Sequence, residues 1–181
     1  MLGPGDAAPG WLFSAEGLAR ARQQAHDRAA ETLGALSGAA GGEEQAAAAS
    51  GGAAGRELAR PLCLEEAGSL ASFYAQKLPE LCGLCGASGD VRWTAMVFYR
   101  RFFAVCSPME HDPLPAMFAC VHLACKVEEE HHITLEKLLA AADLGSDRAM
   151  QGKVVDSEIC VLEGAQGEDE RHDEIRVRQI T

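Results

Sequence analysis

Apolar positions recur along most of this chain at the spacing of helices, not strands. Between Ala15 and Leu36 the residues are helix formers throughout, and Leu18, Ala25, Ala29, Leu33 and Leu36 lie roughly on one face. Ser14, just before them, is a good N-cap residue. The pattern fades between Gly34 and Gly55, where sixteen of twenty-two residues are Gly or Ala. So little apolar area does not offset the entropy of ordering, and the segment reads as a linker or insertion. Pattern returns at Leu62. The spacing predicts helices at about 64–86, 90–106, 112–129, 133–142 and 147–164. Breakers mark their joints: Gly83, Gly86 and Gly89, then Ser107-Pro108, His131-His132 and Gly145-Ser146. Pro113 and Pro115 suit a first helical turn, whereas Pro79 should kink or split the helix that contains it. Five short-jointed helices with no strand-like alternation predict an all-α bundle. After Gln166 the tail GEDERHDEIRVRQIT has no core-forming period and reads as a disordered end. The expected division is 1–36 for an arm and helix, 37–61 for the linker, 62–165 for the bundle and 166–181 for the tail.

Charge narrows the functional classes. The 181 residues carry a formal net charge of −11, with pI near 4.9. That argues against nonspecific nucleic-acid binding and against an anionic membrane surface, because both need a basic face. The longest uncharged stretch outside the Ala/Gly tract, Pro113 to Cys125, falls well short of the roughly 20 apolar residues that span a bilayer. The N-terminus MLGPGDAAPG has neither the basic nor the apolar region of a secretory signal. Seven cysteines, an odd number scattered through apolar segments, fit reduced intracellular thiols better than a disulfide framework.

Cys82-Gly-Leu-Cys85 has the Cys-x-x-Cys form, but the remaining cysteines give no second pair at that spacing. It reads as small residues at a helix end, and no metal or cofactor is expected. Nor is there a Gly-rich phosphate loop, a Gly-x-Ser-x-Gly elbow or a His-Glu-x-x-His. Glu128, Glu129 and Glu130 beside His131 and His132 offer acid–base groups, yet a charge run at a helix end is more often solvated. No catalytic residue is assigned, and the chain is expected not to be an enzyme.

Two helices hold more specific signals. In the one at 112–129, Met117, Cys120, Val121, Ala124 and Cys125 share the natural core arc. Lys126 falls opposite, with Leu123 and Val127 beside it, one turn apart and off the main arc. The group is either an ammonium framed by exposed apolar side chains, hence a partner patch, or a broad apolar arc with a snorkelling lysine. In the helix at 147–164, Val154, Val155, Val161 and Leu162 define an apolar face, and Glu158 projects from its middle. A carboxylate is rarely buried without a partner. Either Glu158 pairs within the fold, or it bonds another molecule; the second reading joins Lys126 and Glu158 into one polar pair on an apolar dock.

The runs FYRRFF at 98–103, Ser107-Pro-Met-Glu-His-Asp-Pro113 and LACKVEE at 123–129 resemble, in order and spacing, the first repeat of a cyclin box. Within the cyclins the chain is most similar to the transcription-type, cyclin H-like group. Trp11-Leu-Phe-Ser followed by LARAR resembles that group's N-terminal helix, and Ser157-Glu-Ile-Cys-Val-Leu-Glu163 resembles its fifth box helix. The resemblance covers about 11–36 and 62–165.

The resemblance implies a five-helix repeat that binds and activates a cyclin-dependent kinase by positioning the kinase's mobile αC helix. The kinase-binding positions that match are Leu123, Lys126, Val127 and Glu158. The implied kinase is the CDK-activating type that also acts on RNA polymerase II in transcription initiation and serves the cell cycle. An assembly factor and a general transcription/repair factor are implied as further partners, and the nucleus as the location. Arg100 stands where many cell-cycle cyclins have an aspartate, which fits the transcription type. The family continues into a second five-helix repeat where this chain has its charged tail, so a truncated cyclin is expected. The alternative function is a fragment that binds the kinase weakly or not at all without activating it. A helical adaptor contacting DNA or polymerase is a third reading, disfavoured by the acidic charge.

Overall fold

The computed structural model describes residues 14–40, 60–145 and 147–166. Most of the expected Ala/Gly linker, the charged tail from 167 onward, Ser146 and the Trp11/Phe13 pair lie outside the described residues. Six helices follow in order: α1 (Ala15–Ala40), α2 (Leu64–Cys85), α3 (Gly89–Val105), α4 (Pro113–Val127), α5 (Leu135–Ala140) and α6 (Arg148–Gln166). The all-α expectation holds among the described residues, and the five bundle helices fall close to their expected spans.

Local chemistry sets most helix ends. The Ser14 hydroxyl accepts from Gly17 N at 3.0 Å, Ser88 from Val91 N at 3.2 Å, and the Asp112 carboxylate from Leu114 N at 3.0 Å. Pro113 and Pro115 stand in the first turn of α4, as expected. At the start of α2 the Glu66 carboxylate accepts from Cys63 N at 2.8 Å and pairs with Arg60. The Arg60 guanidinium, aided by that backbone N–H, holds the Glu66 carboxyl down at about 2. Gly86 ends α2 at φ 72°, a left-handed turn in which Ala87 N donates to Cys82 O at 2.9 Å.

Two helices differ from expectation. α1 runs four residues past Leu36, to Ala40, because Ser37-Gly-Ala-Ala still contains two alanines, the best helix former. α2 is one continuous helix through Pro79. Pro79 removes one N–H from the ladder, and the tertiary contacts of Leu78, Leu81 and Cys82 keep the helix whole.

α4 is the axis of the bundle. It packs against α2, α3, α5 and α6 at once, and α1 lies on α2 and α3. Consequently every α4 residue from Pro113 to Cys125 is buried except Leu114 and His122. Around it Leu78, Tyr99, Phe102, Leu138 and Leu139 are fully buried, as is Phe118 on α4 itself. The Tyr99 and Phe103 rings pack at 4.8 Å, and Phe102 meets Phe103 edge-on at 4.9 Å. The Tyr99 hydroxyl donates to Ala71 O at 3.2 Å, tying α3 to α2, and burial raises its pKa. α1 is anchored by side chains that reach main-chain carbonyls: Arg28 donates to Val105 O at 2.9 Å, and His26 Nε2 meets Leu62 O at 2.9 Å.

All seven cysteines are free thiols, and only Cys63 is exposed. Burial pushes Cys82 and Cys125 up to about 11 and Cys106 up to about 12; Cys85 and Cys120 also rise. Cys82 and Cys85 are thus core residues in the last turn of α2. Brief iodoacetamide treatment of the folded protein is expected to alkylate Cys63 alone, with all seven modified after unfolding. Mass spectrometry reads the number directly. Rapid native modification of Cys82 or Cys85 would show that this corner of the core is open.

Candidate partner-docking site

The C-terminal half of α4 meets α6 at the surface, and two charged side chains join there. Lys126 Nζ donates to Glu158 Oε2 at 2.9 Å and to Oε1 at 3.1 Å. The lysine side chain is 49% exposed and the glutamate 13%, so the carboxylate sits in the seam and the ammonium covers it from outside. His122, one turn before Lys126, also bonds Glu158 through Nδ1 to Oε1. Glu158 is therefore paired within the fold, one of the two alternatives the sequence left open. Of its two partners, Lys126 is half exposed and His122 mostly enclosed.

The apolar surroundings differ from the sequence expectation in two respects. Leu123 is 6% exposed, so it does not frame the lysine as a surface group. The helix wheel placed it off the core arc, but α4 is enclosed on several sides, and a surrounded helix is apolar nearly all round. On α6 the expected single face of Val154, Val155, Val161 and Leu162 is split. Val154 and Val161 are buried, whereas Val155 and Leu162 stand 48% and 47% exposed.

Ile159, which the sequence reading passed over, joins the exposed pair. Val155, Ile159 and Leu162 follow i, i+4, i+7 spacing and form one stripe. At about 100° per residue, Glu158 lies between that stripe and the buried Val154–Val161 arc, which explains its low exposure. Val127, at the end of α4 beside Lys126, adds another exposed aliphatic group. The spacing that marks Ile159 was visible in the sequence; what was missing was which of two adjacent apolar arcs would be covered.

Two of the three carboxylates after α4 have structural work, contrary to the solvated reading. Glu128 accepts from the Thr94 hydroxyl at 2.6 Å, and Glu130 accepts from Ser88 N at 3.3 Å, holding the end of α4 to the start of α3. Glu129 is exposed with φ 59°. His131 and His132 are exposed. Among the described residues, no cluster of three or more His, Cys, Asp or Glu could hold a metal ion, and no helix is long and apolar enough to cross a membrane.

Comparison with known proteins places the fold. No family model matches the chain. A stretch of 72 residues, 40% of the chain, is 35% identical to Cyclin-H1-1 of Arabidopsis thaliana, covering 21% of that protein. Another of 91 residues, 50% of the chain, is 32% identical to Cyclin CCL1 of Saccharomyces cerevisiae, covering 23% of it. In fold, 94% of the chain superposes on 48% of a chain from the structure of the CAK complex from Chaetomium thermophilum bound to ATP-gamma-S. The TM-score there is 0.68 at 19% identity. The stretches matched by sequence thus span less than a quarter of either relative. The bundle built on α4 thus has the all-α, cyclin-type fold of that CAK-complex chain. By sequence, the chain is similar to cyclins of the H type.

Proposed function

We propose that the chain is a regulatory, non-catalytic subunit that binds a cyclin-dependent kinase of the CDK-activating, transcription-linked type. The observation that carries this reading is the Lys126–Glu158 pair spanning α4 and α6, bordered by Val127 and by the Val155–Ile159–Leu162 stripe. Charged groups that can reach a partner's main chain, beside aliphatic area that can be covered, suit a kinase's αC helix and its flanking backbone. Leu123 belongs to the core behind this face. A kinase is active when its αC glutamate pairs with the ATP-site lysine. A subunit that prefers the kinase state with αC turned inward shifts the population toward it, without doing chemistry itself.

In this reading residues 62–165 are the kinase-contacting repeat and 1–36 its N-terminal arm. An assembly factor, a general transcription/repair factor and a nuclear setting complete it. The names of the similar proteins, and the resemblance of the sequence around Lys126 and Glu158 to the cyclin box, support it.

Gel filtration with the purified catalytic subunit of a CDK-activating kinase tests it. The wild-type chain is expected to co-elute, and Lys126→Ala combined with Glu158→Ala to abolish co-elution. No wild-type complex, or no loss in the double variant, overturns the reading. A parallel phosphorylation assay separates activation from the alternative, binding without stimulation.

A further inference from the structure

The Lys126–Glu158 pair has a third member that the docking reading does not use. His122 lies on α4 facing α6, with its side chain 17% exposed, and its Nδ1 contacts Glu158 Oε1. An ionised carboxylate only accepts, so Nδ1 carries the hydrogen and donates it. Oε1 therefore takes two donors, His122 Nδ1 and Lys126 Nζ, while Oε2 takes Nζ alone. Each carboxylate oxygen has two acceptor sites. Oε1 is thus filled, and Oε2 keeps one site for an incoming N–H.

The two donors differ in how firmly they hold. Lys126 is half exposed, on a four-carbon stem with large rotamer freedom. The imidazole has two side-chain torsions and is mostly enclosed. A glutamate also has three torsions of its own, whose freedom must be surrendered when a partner fixes it. A group that fixes them beforehand lowers the entropic penalty of docking.

We propose that His122 is a positioning residue for partner docking: by donating to Oε1 of Glu158 it fixes the carboxylate so that Oε2 and the Lys126 ammonium are presented together. The inference rests on the docking reading above and deepens it, since His122 acts through Glu158 and not by its own contact with the partner.

The test is a binding series against the purified CDK-activating kinase subunit, measured by calorimetry on full-length chains with thermal melts to confirm folding. His122→Leu removes the donor, whereas His122→Asn keeps an amide N–H close to the Nδ1 position. His122→Leu is expected to weaken binding about tenfold, and His122→Asn to recover most of that loss. In a Glu158→Gln background, His122→Leu is expected to add no further loss, because the group it positions has been changed. If Glu158→Gln weakens binding but His122→Leu does not, the positioning role is overturned while the docking reading stands. An equal loss from His122→Leu in both backgrounds also overturns it, and marks His122 as merely structural. If Glu158→Gln leaves affinity unchanged, the docking reading itself falls and the positioning role falls with it.

Discussion

Phe102→Ala is expected to lower the unfolding free energy by about 3–5 kcal/mol, the range for truncating a buried aromatic. The ring is fully buried on α3 and meets Phe103 at 4.9 Å and His111 at 5.1 Å. It also lies against α6, where a Cβ built on Gly164 would come within 3.0 Å of its Cδ2. One side chain thus joins α3, the loop before α4 and the end of α6. A domain's whole stability is about 5–15 kcal/mol, so the variant should be largely unfolded well before the wild type in urea. Circular dichroism at 222 nm against denaturant measures the shift. A change below about 1 kcal/mol would mean that the space collapses or is not central. The Gly164 contact adds an internal control. Gly164→Ala alone should destabilise by crowding the ring, and in the Phe102→Ala background the same methyl should be tolerated.

Ile159→Asp is expected to leave the melting temperature within a few degrees of wild type, yet to weaken kinase binding by about 30-fold to 1,000-fold, the range of a hot-spot residue. Ile159 is 54% exposed in the middle of the α6 stripe, so the free protein loses little by the change. In the docked state the aspartate would be desolvated among Val155, Leu162 and the partner's apolar surface, close to the Glu158 carboxylate. Surface plasmon resonance with immobilised kinase distinguishes the outcomes. Retained affinity in a folded Ile159→Asp variant would move the docking face away from α6. Val154→Asp is the contrasting substitution. Val154 is fully buried one position before the stripe begins, and its replacement should unfold the protein before binding can be measured.

The helices themselves were legible because periodicity, caps and breakers agree. Ser14 caps where the sequence predicts, and Gly86, one of the marked breakers, takes the left-handed turn that closes α2. The partners of surface charges were less legible. Lys126 and Glu158 were singled out for different reasons, one for its exposure opposite a core arc and one for its intrusion into an apolar face; their union was one of two readings of the sequence, and only the tertiary packing of α4 on α6 decides it. His122 gave no signal, since a lone histidine between Val121 and Leu123 looks like any half-buried polar residue.

Leu123 and the split face of α6 show a second limit. A helix wheel ranks directions around one axis and does not say how many neighbours surround that axis. α4 is enclosed and buries Leu123, whereas α6 is covered on one side and leaves three aliphatic side chains in water. Glu128 and Glu130 illustrate a third. Composition assigns a carboxylate run to solvent, but its reach to Thr94 and Ser88 depends on α3 starting beside the end of α4.

The way α1 is fastened has a consequence for how the molecule comes apart. The side chains it buries most deeply are the small Ala25 and Ala29, and Arg28 and His26 pin it to carbonyl oxygens outside its own helix. Such a seam permits close approach while removing little greasy area from water. α1 therefore behaves as a latch across α2 and α3. It can lift in low-energy local openings and leave the aromatic centre beneath α4 and α6 shut.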